Sequence, residues 1–299
     1  MSHAIELLER AVRARPDGLL ASPRQQAYRA RITLSVGRDG AVGYHRPRSH
    51  DVVPLDHDPL ARPEINEALA GLKVHQAERF ELRSDGQRVV ANTIGPGQLE
   101  GLDWARDGKP VQGDPTLSLK VAGIEHRVSP RSFYQVNLEV NALLVEAVID
   151  EVTRRDAQHV LDLFSGIGNL SLPLAARGIP CTLIENAGSS ARDARRTAKR
   201  LALPATIQTG DANRFQPGSV AFDVAVLDPP RSGAPAAMKA VLVTRPRTLV
   251  LVSCNPRTLG RDLRFATNAG YRLSRLTAVD MFPGTDHVEA LAVLDRGSG

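Results

Sequence analysis

The feature that most constrains this chain is a repeated rhythm in its second half. Short, almost wholly apolar runs occur at His159-Val-Leu-Asp-Leu-Phe164, Pro180-Cys-Thr-Leu-Ile184, Ala205-Thr-Ile-Gln208, Asp223-Val-Ala-Val-Leu227 and Thr248-Leu-Val-Leu-Val252. Runs that do not alternate apolar with polar residues belong to strands covered on both faces. Helical segments are expected between these five runs and after Pro256. Strands alternating with helices build a parallel, doubly wound, Rossmann-like α/β sheet. Arg272 to Val279 and Val288 to Leu294 close it, and a helix over Leu138 to Thr153 leads into it.

Upstream the rhythm differs. Ile5, Leu7, Leu8, Ala11 and Val12 sit at helical spacing over residues 3–14, and Pro16 and Gly18 stop that helix. From about residue 27 to 128, strand-like runs are broken by turn dipeptides. Arg79–Arg83 and Arg88–Ile94 flank Ser84-Asp-Gly86, and Leu117–Val121 and Ile124–Val128 flank Ala122-Gly123, both hairpin signals. One helix is expected over Glu64 to Leu72. The expectation is an N-terminal, mainly antiparallel α+β domain over 1–128 and the doubly wound domain over 129–299.

The 299 residues can bury a sizeable core, and no stretch is apolar enough to span a bilayer. No secretory peptide is expected beside Glu6 and Glu9, and two cysteines make neither a disulfide framework nor a four-thiolate cluster. A cytoplasmic protein, without membrane contact and monomeric, is the simplest expectation. The net charge is +5, and residues 1–50 carry nine arginines against Glu6, Glu9, Asp17 and Asp39. That bias suits either a polyanion partner or a solvated basic surface.

Doubly wound sheets bind ligands at the carboxyl ends of their strands. The first end, Leu161-Asp-Leu-Phe-Ser-Gly-Ile-Gly-Asn169, runs into a helix expected over 170–176; Gly166 and Gly168 allow a tight turn and close approach to a ligand. The second ends on Glu185, an acid placed to accept from ribose hydroxyls. The third offers Asp211 near an adenine edge. The fourth is Leu227-Asp-Pro-Pro-Arg-Ser-Gly233, where two prolines stiffen the turn that carries Asp228. Together these ends resemble the crevice of S-adenosylmethionine-dependent methyltransferases. The fifth run ends in Ser253-Cys-Asn-Pro256. A lone thiol is most often a small buried apolar residue, and Cys254 taken alone is open between that role and a nucleophile.

Phe133-Tyr-Gln-Val-Asn137, Leu163-Phe-Ser-Gly-Ile-Gly-Asn169, Asp228-Pro-Pro-Arg231, Ser253-Cys-Asn-Pro256 and His287-Val-Glu289 resemble, in that order, the RNA uridine-5 methyltransferase family. The resemblance runs from about residue 22 to 294. It implies a Rossmann-like fold and S-adenosylmethionine as cofactor, contacted by Gln135, Phe164, Gly166, Asn169, Glu185, Asp211 and Asp228. It implies Cys254 as the nucleophile that adds to carbon 6 of uracil and Glu289 as the base that removes the carbon-5 proton. Asp228 and Arg231 would hold the uracil edge or its charge, and His287 could orient Glu289. The partner implied is structured RNA, transfer or 23S ribosomal.

Many family members carry an N-terminal nucleic-acid-binding barrel and four iron–sulfur cysteines. Neither is expected here: one helix precedes residue 22, and the thiols are only Cys181 and Cys254. The arginines of residues 1–50 would then grip phosphates, and the basic helix Arg192 to Arg200 either joins them or is a solvated basic face. Two other readings stand beside this one: methylation of another base or nucleic acid, and a non-catalytic RNA-binding module.

Overall fold

The computed structural model describes residues 2–218 and 220–297. In chain order the elements are α1 (Ser2–Val12), β1 (Gly18–Leu20), β2 (Arg31–Val36), β3 (Val42–His45), β4 (Val52–Pro54), α2 (Pro63–Gly71), β5 (Lys73–His75), β6 (Arg79–Ser84), β7 (Val89–Thr93), β8 (Gln98–Glu100), β9 (Trp104–Arg106), β10 (Lys109–Gln112), β11 (Leu117–Val121), β12 (Ile124–Val128) and α3 (Leu138–Thr153). There follow β13 (Val160–Leu163), α4 (Leu172–Ala175), β14 (Cys181–Glu185), α5 (Gly188–Arg200), β15 (Ala205–Thr209), β16 (Val224–Leu227), α6 (Pro235–Thr244), β17 (Thr248–Ser253), α7 (Pro256–Asn268), β18 (Tyr271–Val279) and β19 (Glu289–Arg296).

They form two compact units. The larger holds residues 1–23, 120–126 and 139–299, the smaller 24–119 and 127–138. The division therefore differs from the expected single cut at 128, in both directions. At the N-terminus, β1 pairs in parallel with β18, Gly18 opposite Thr277 and Leu20 opposite Val279. The Asp17 carboxylate accepts from the Leu276 amide at 2.7 Å, and Leu8 of α1 is fully buried in the larger unit's core. In the other direction, residues 127–138 are clamped into the smaller unit. The buried Arg83 guanidinium donates to the carbonyls of Ser129, Pro130 and Ser132, and the Tyr134 hydroxyl donates to Ala30 O at 2.8 Å.

The larger unit carries an eight-stranded sheet of order β1-β18-β19-β17-β16-β13-β14-β15. The five strands β17, β16, β13, β14 and β15 are parallel, and β19 returns antiparallel between β17 and β18. This is the doubly wound sheet expected from the apolar rhythm. Every residue of β13, β16 and β17 is buried, and alternate side chains enter different cores. Val224, Val226, Val250 and Val252 join one apolar cluster; Ala225, Leu227, Leu249 and Leu251 join the other. Among the described residues one expected element is missing. Between β15 and β16, Asp211 caps only the 3-10 turn Ala212–Arg214, because Pro217 and Gly218 follow too soon for a full helix. The helix expected over 170–176 is the shorter α4, and the basic helix begins earlier, at Gly188.

The smaller unit is built on a seven-stranded sheet, β10-β9-β7-β6-β2-β3-β4. Its pairings are antiparallel except β7 with β9. Helix α2 packs Ile65 and Leu69 into the core beside Phe80, Leu82 and Trp104. Among the described residues no helix is long and apolar enough to cross a membrane.

Candidate active site

In the larger sheet the winding reverses between β13 and β16, so the crevice at their carboxyl ends is where a ligand enters such a fold. After β13 the chain turns through Phe164, at φ 65°, and Gly168, at φ 80°. A Cβ at Gly168 would lie 2.5 Å from Leu172 Cγ, so only glycine lets α4 start this close. The Gly166 amide donates to Glu185 Oε2 at 2.8 Å, and the Ala187 amide to Oε1 at 2.5 Å. Two backbone donors thus fix the carboxylate at the end of β14 while leaving lone pairs on both oxygens. That is the acceptor set a ribose needs: rigid oxygens for its hydroxyls to donate to, beside a glycine turn that brings backbone close.

The loop after β16 is strapped to the start of α7. The Asn255 side chain caps that helix by accepting from the Arg257 amide at 3.1 Å and donates to Arg231 O at 3.0 Å. Arg261 donates to Ser232 O at 3.2 Å. Asp228 and Arg231 are therefore held beside Cys254, which follows the last residue of β17. On the antiparallel neighbour, Ala290 lies opposite Ser253, so one further step puts Glu289 beside Cys254 at the same sheet end. Glu289 is buried, and its Oε2 has no hydrogen-bond partner.

The electrostatics bind these groups together. Burial pushes the Cys254 thiol up, Glu289 and Asp228 push it further, and the Arg231 guanidinium facing it pulls it down. Burial also raises Glu289, reinforced by Asp228, and it raises Asp228 itself. A thiol, two carboxyls that resist ionisation and one exposed guanidinium share a single strand-end crevice. The arrangement offers a soft nucleophile and a proton acceptor side by side.

The other expected residues lie as follows. Phe164, Gly166 and Glu185 form the first two strand ends. Asn169 spends its amide on a reciprocal pair with Asn141, at 3.0 and 2.8 Å, so its contribution is to pin the glycine turn to α3. Asp211 accepts from the Asn213 amide at 2.9 Å as a cap. Gln135 belongs to the smaller unit, in an extended stretch between β12 and α3. His287 sits in the loop before β19, its ring edge-on to Phe282 at 6.0 Å. Two residues escaped the sequence reading. Asn141 carried no signal on its helix. Asp162 did carry one, as the only acid inside the first apolar run.

Comparison with known proteins places this geometry. The family described as tRNA (uracil-5-)-methyltransferase matches residues 211–297. The 23S rRNA (uracil(1939)-C(5))-methyltransferase RlmD of Aeromonas hydrophila is 31% identical over 98% of this chain and 75% of its own length. RlmD of Pectobacterium atrosepticum is 30% identical over 91% of this chain and 69% of its own. Among solved structures, the tRNA (uracil-54, C5)-methyltransferase of Pyrococcus abyssi, in complex with S-adenosyl-L-homocysteine, superposes with a TM-score of 0.83 at 24% identity; the match covers 97% of this chain and 81% of that one. The strand-end crevice and these likenesses agree, and the chain belongs to the S-adenosylmethionine-dependent RNA uracil-5 methyltransferases.

Proposed function

We propose that this enzyme methylates carbon 5 of a uridine in transfer or 23S ribosomal RNA through a covalent adduct on Cys254. The observation that carries the reading is the register of β17 and β19, which sets the buried, unpartnered Glu289 beside the thiol. Glu185, the Phe164–Gly168 turn, Asp211 and Asp228 hold the cofactor, with Asn169 bracing the turn. Bound S-adenosylmethionine supplies an electrophilic methyl group.

Carbon 5 of uracil is a weak nucleophile. Addition of the Cys254 thiolate to carbon 6 gives it the electron density of an enolate. Asp228 and Arg231 hold the uracil edge on which that charge gathers. Once carbon 5 is methylated, Glu289 takes its remaining proton, the electron pair returns to the ring, and the carbon–sulfur bond breaks. Burial makes Glu289 a stronger base than a solvated carboxylate. The target base must leave its stack to reach the thiol.

RNA containing 5-fluorouridine tests the reading. Fluorine cannot leave as a proton, so the wild-type protein should form a stable covalent adduct and Cys254→Ala none. Label from the cofactor should appear in ordinary RNA as 5-methyluridine, and sequencing of the modified RNA names the site. Label in 5-methylcytidine, or adduct formation by Cys254→Ala, refutes it.

A further inference from the structure

At the opposite end of the parallel sheet lies a cavity of about 940 Å³, lined by Val224 and Thr248 at the amino ends of β16 and β17. Arg155, Arg245, Arg247 and Arg296 also line it, against only Asp223 and Asp295. Arg155 is already committed: it bridges both oxygens of Asp295 at 2.8 Å and reaches Glu151 at 2.5 Å. Arg247 pairs with Asp223 at 3.1 Å. Arg245 and Arg296 have no carboxylate partner among the described residues. The Arg296 guanidinium donates instead to the backbone carbonyl of Arg245, and both arginines line the one concave surface without a carboxylate partner.

The backbone points the same way. Arg245 ends α6 at φ 51°, ψ 50°, the left-handed position that helices normally give to glycine. An arginine there accepts strain that glycine would avoid. The loop is also fixed, because the buried Tyr271 hydroxyl donates at 2.6 Å to the carbonyl of Pro246, the residue after Arg245. Exposed guanidiniums without a carboxylate partner, carried on a fixed loop and a strand end, suit a phosphate, whose oxygens match their fork.

We infer that this cleft binds a phosphodiester of the RNA backbone and so extends the RNA footprint to the rear of the catalytic unit. The inference rests on the RNA reading above. From Thr248 to Ser253, β17 spans only about 17 Å at roughly 3.3 Å per residue, a distance that structured RNA held at Cys254 can wrap around.

The test uses Arg245→Gly and Arg296→Gln, with substrate RNA binding followed by anisotropy across salt concentrations. Arg245→Gly should fold with unchanged or higher thermal midpoint, since glycine suits the left-handed position. Each variant should weaken RNA binding about threefold to tenfold at moderate salt and flatten the slope of log affinity against log salt by about one. Turnover at saturating RNA and the cofactor KM should not move. Affinity and slope equal to wild type in both variants overturn the inference. So does tight inorganic pyrophosphate binding by calorimetry that is lost in Arg245→Gly while RNA binding is untouched, since the cleft then takes a free anion. A wild-type protein that makes no adduct on 5-fluorouridine RNA refutes the catalytic reading alone, because the slope reports binding only.

Discussion

Asp162→Asn should make the protein more stable at alkaline pH and less stable in acid. Asp162 lies in the middle of β13 with no exposed surface. The Ser171 hydroxyl donates to its Oδ2, while Oδ1 has no partner. Burial, helped by Asp228 and Glu185 and opposed by Ser171, pushes its pKa from 3.8 up to about 8. The folded chain therefore keeps a proton that the unfolded chain releases near pH 4. This stability is fully present below that point and is lost as pH rises through about 8. At 1.36 kcal/mol per pH unit, the loss reaches roughly 6 kcal/mol at most, a large part of a usual folding free energy of about 5–15 kcal/mol. Asparagine removes the titration. It also leaves an amide N–H where Oδ1 was, at a cost of about 1–3 kcal/mol. The variant should lose up to about 2 kcal/mol at pH 4.5 and gain about 3–5 kcal/mol at pH 8.5, with a crossover between. Urea unfolding at several pH values, followed by circular dichroism, measures this; the sole tryptophan, Trp104, sits in the smaller unit and would report on that unit instead. Parallel stability curves for the two proteins would show that Asp162 is ionised in the fold and refute the argument.

Two further predictions concern the crevice directly. Glu289→Gln keeps the side-chain volume and loses the proposed base. Turnover should fall about 10²–10⁴-fold, and a covalent protein–RNA species should accumulate on ordinary uridine RNA, visible on a denaturing gel. In the wild type, Glu289 must be ionised to act, and burial with Asp228 raises its pKa. The rate should therefore climb with pH above the ordinary carboxylate range, and a limb centred near pH 4 contradicts the assignment. Gly233→Ala places a Cβ at φ 71°, 3.0 Å from both Asp262 Oδ2 and Thr258 Cβ. It should cost about 1–3 kcal/mol and raise the KM for RNA as Arg231 shifts, so wild-type urea stability would count against the strapped-loop account.

The fold was legible wherever burial leaves its mark on consecutive residues. Val224 to Leu227 reads as a strand covered on both sides because its side chains enter two different cores. Other features depend on partners far away in sequence and carry no local mark. Gly18-Leu-Leu20 is three residues without periodicity, and it becomes a strand only because β18 lies alongside. Residues 127–138 are held by the carbonyl contacts of Arg83, more than forty positions upstream. The turn after Asp211 went the other way: the spacing asked for a helix, and Pro217 and Gly218 denied the length.

The pair proposed for catalysis shows the same limit. Cys254 and Glu289 are 35 positions apart, and nothing in spacing or periodicity joins them; the resemblance to a family did. The physical link is the antiparallel return through β18 to β19, which brings residue 289 back beside the end of β17. That return also explains why three acids can crowd one sheet end. Asp162, Asp228 and Glu289 each lose solvation there, and Asp228 raises both of the others. Such crowding would unfold an isolated loop. Here each carboxyl sits within or at the end of a strand whose neighbours fill two apolar cores, and that burial offsets the repulsion. Burial, reinforced by the repulsion from Asp228, in turn gives Glu289 its raised basicity. A sheet with weaker cores would have to relax the crevice and would lose the strong base with it.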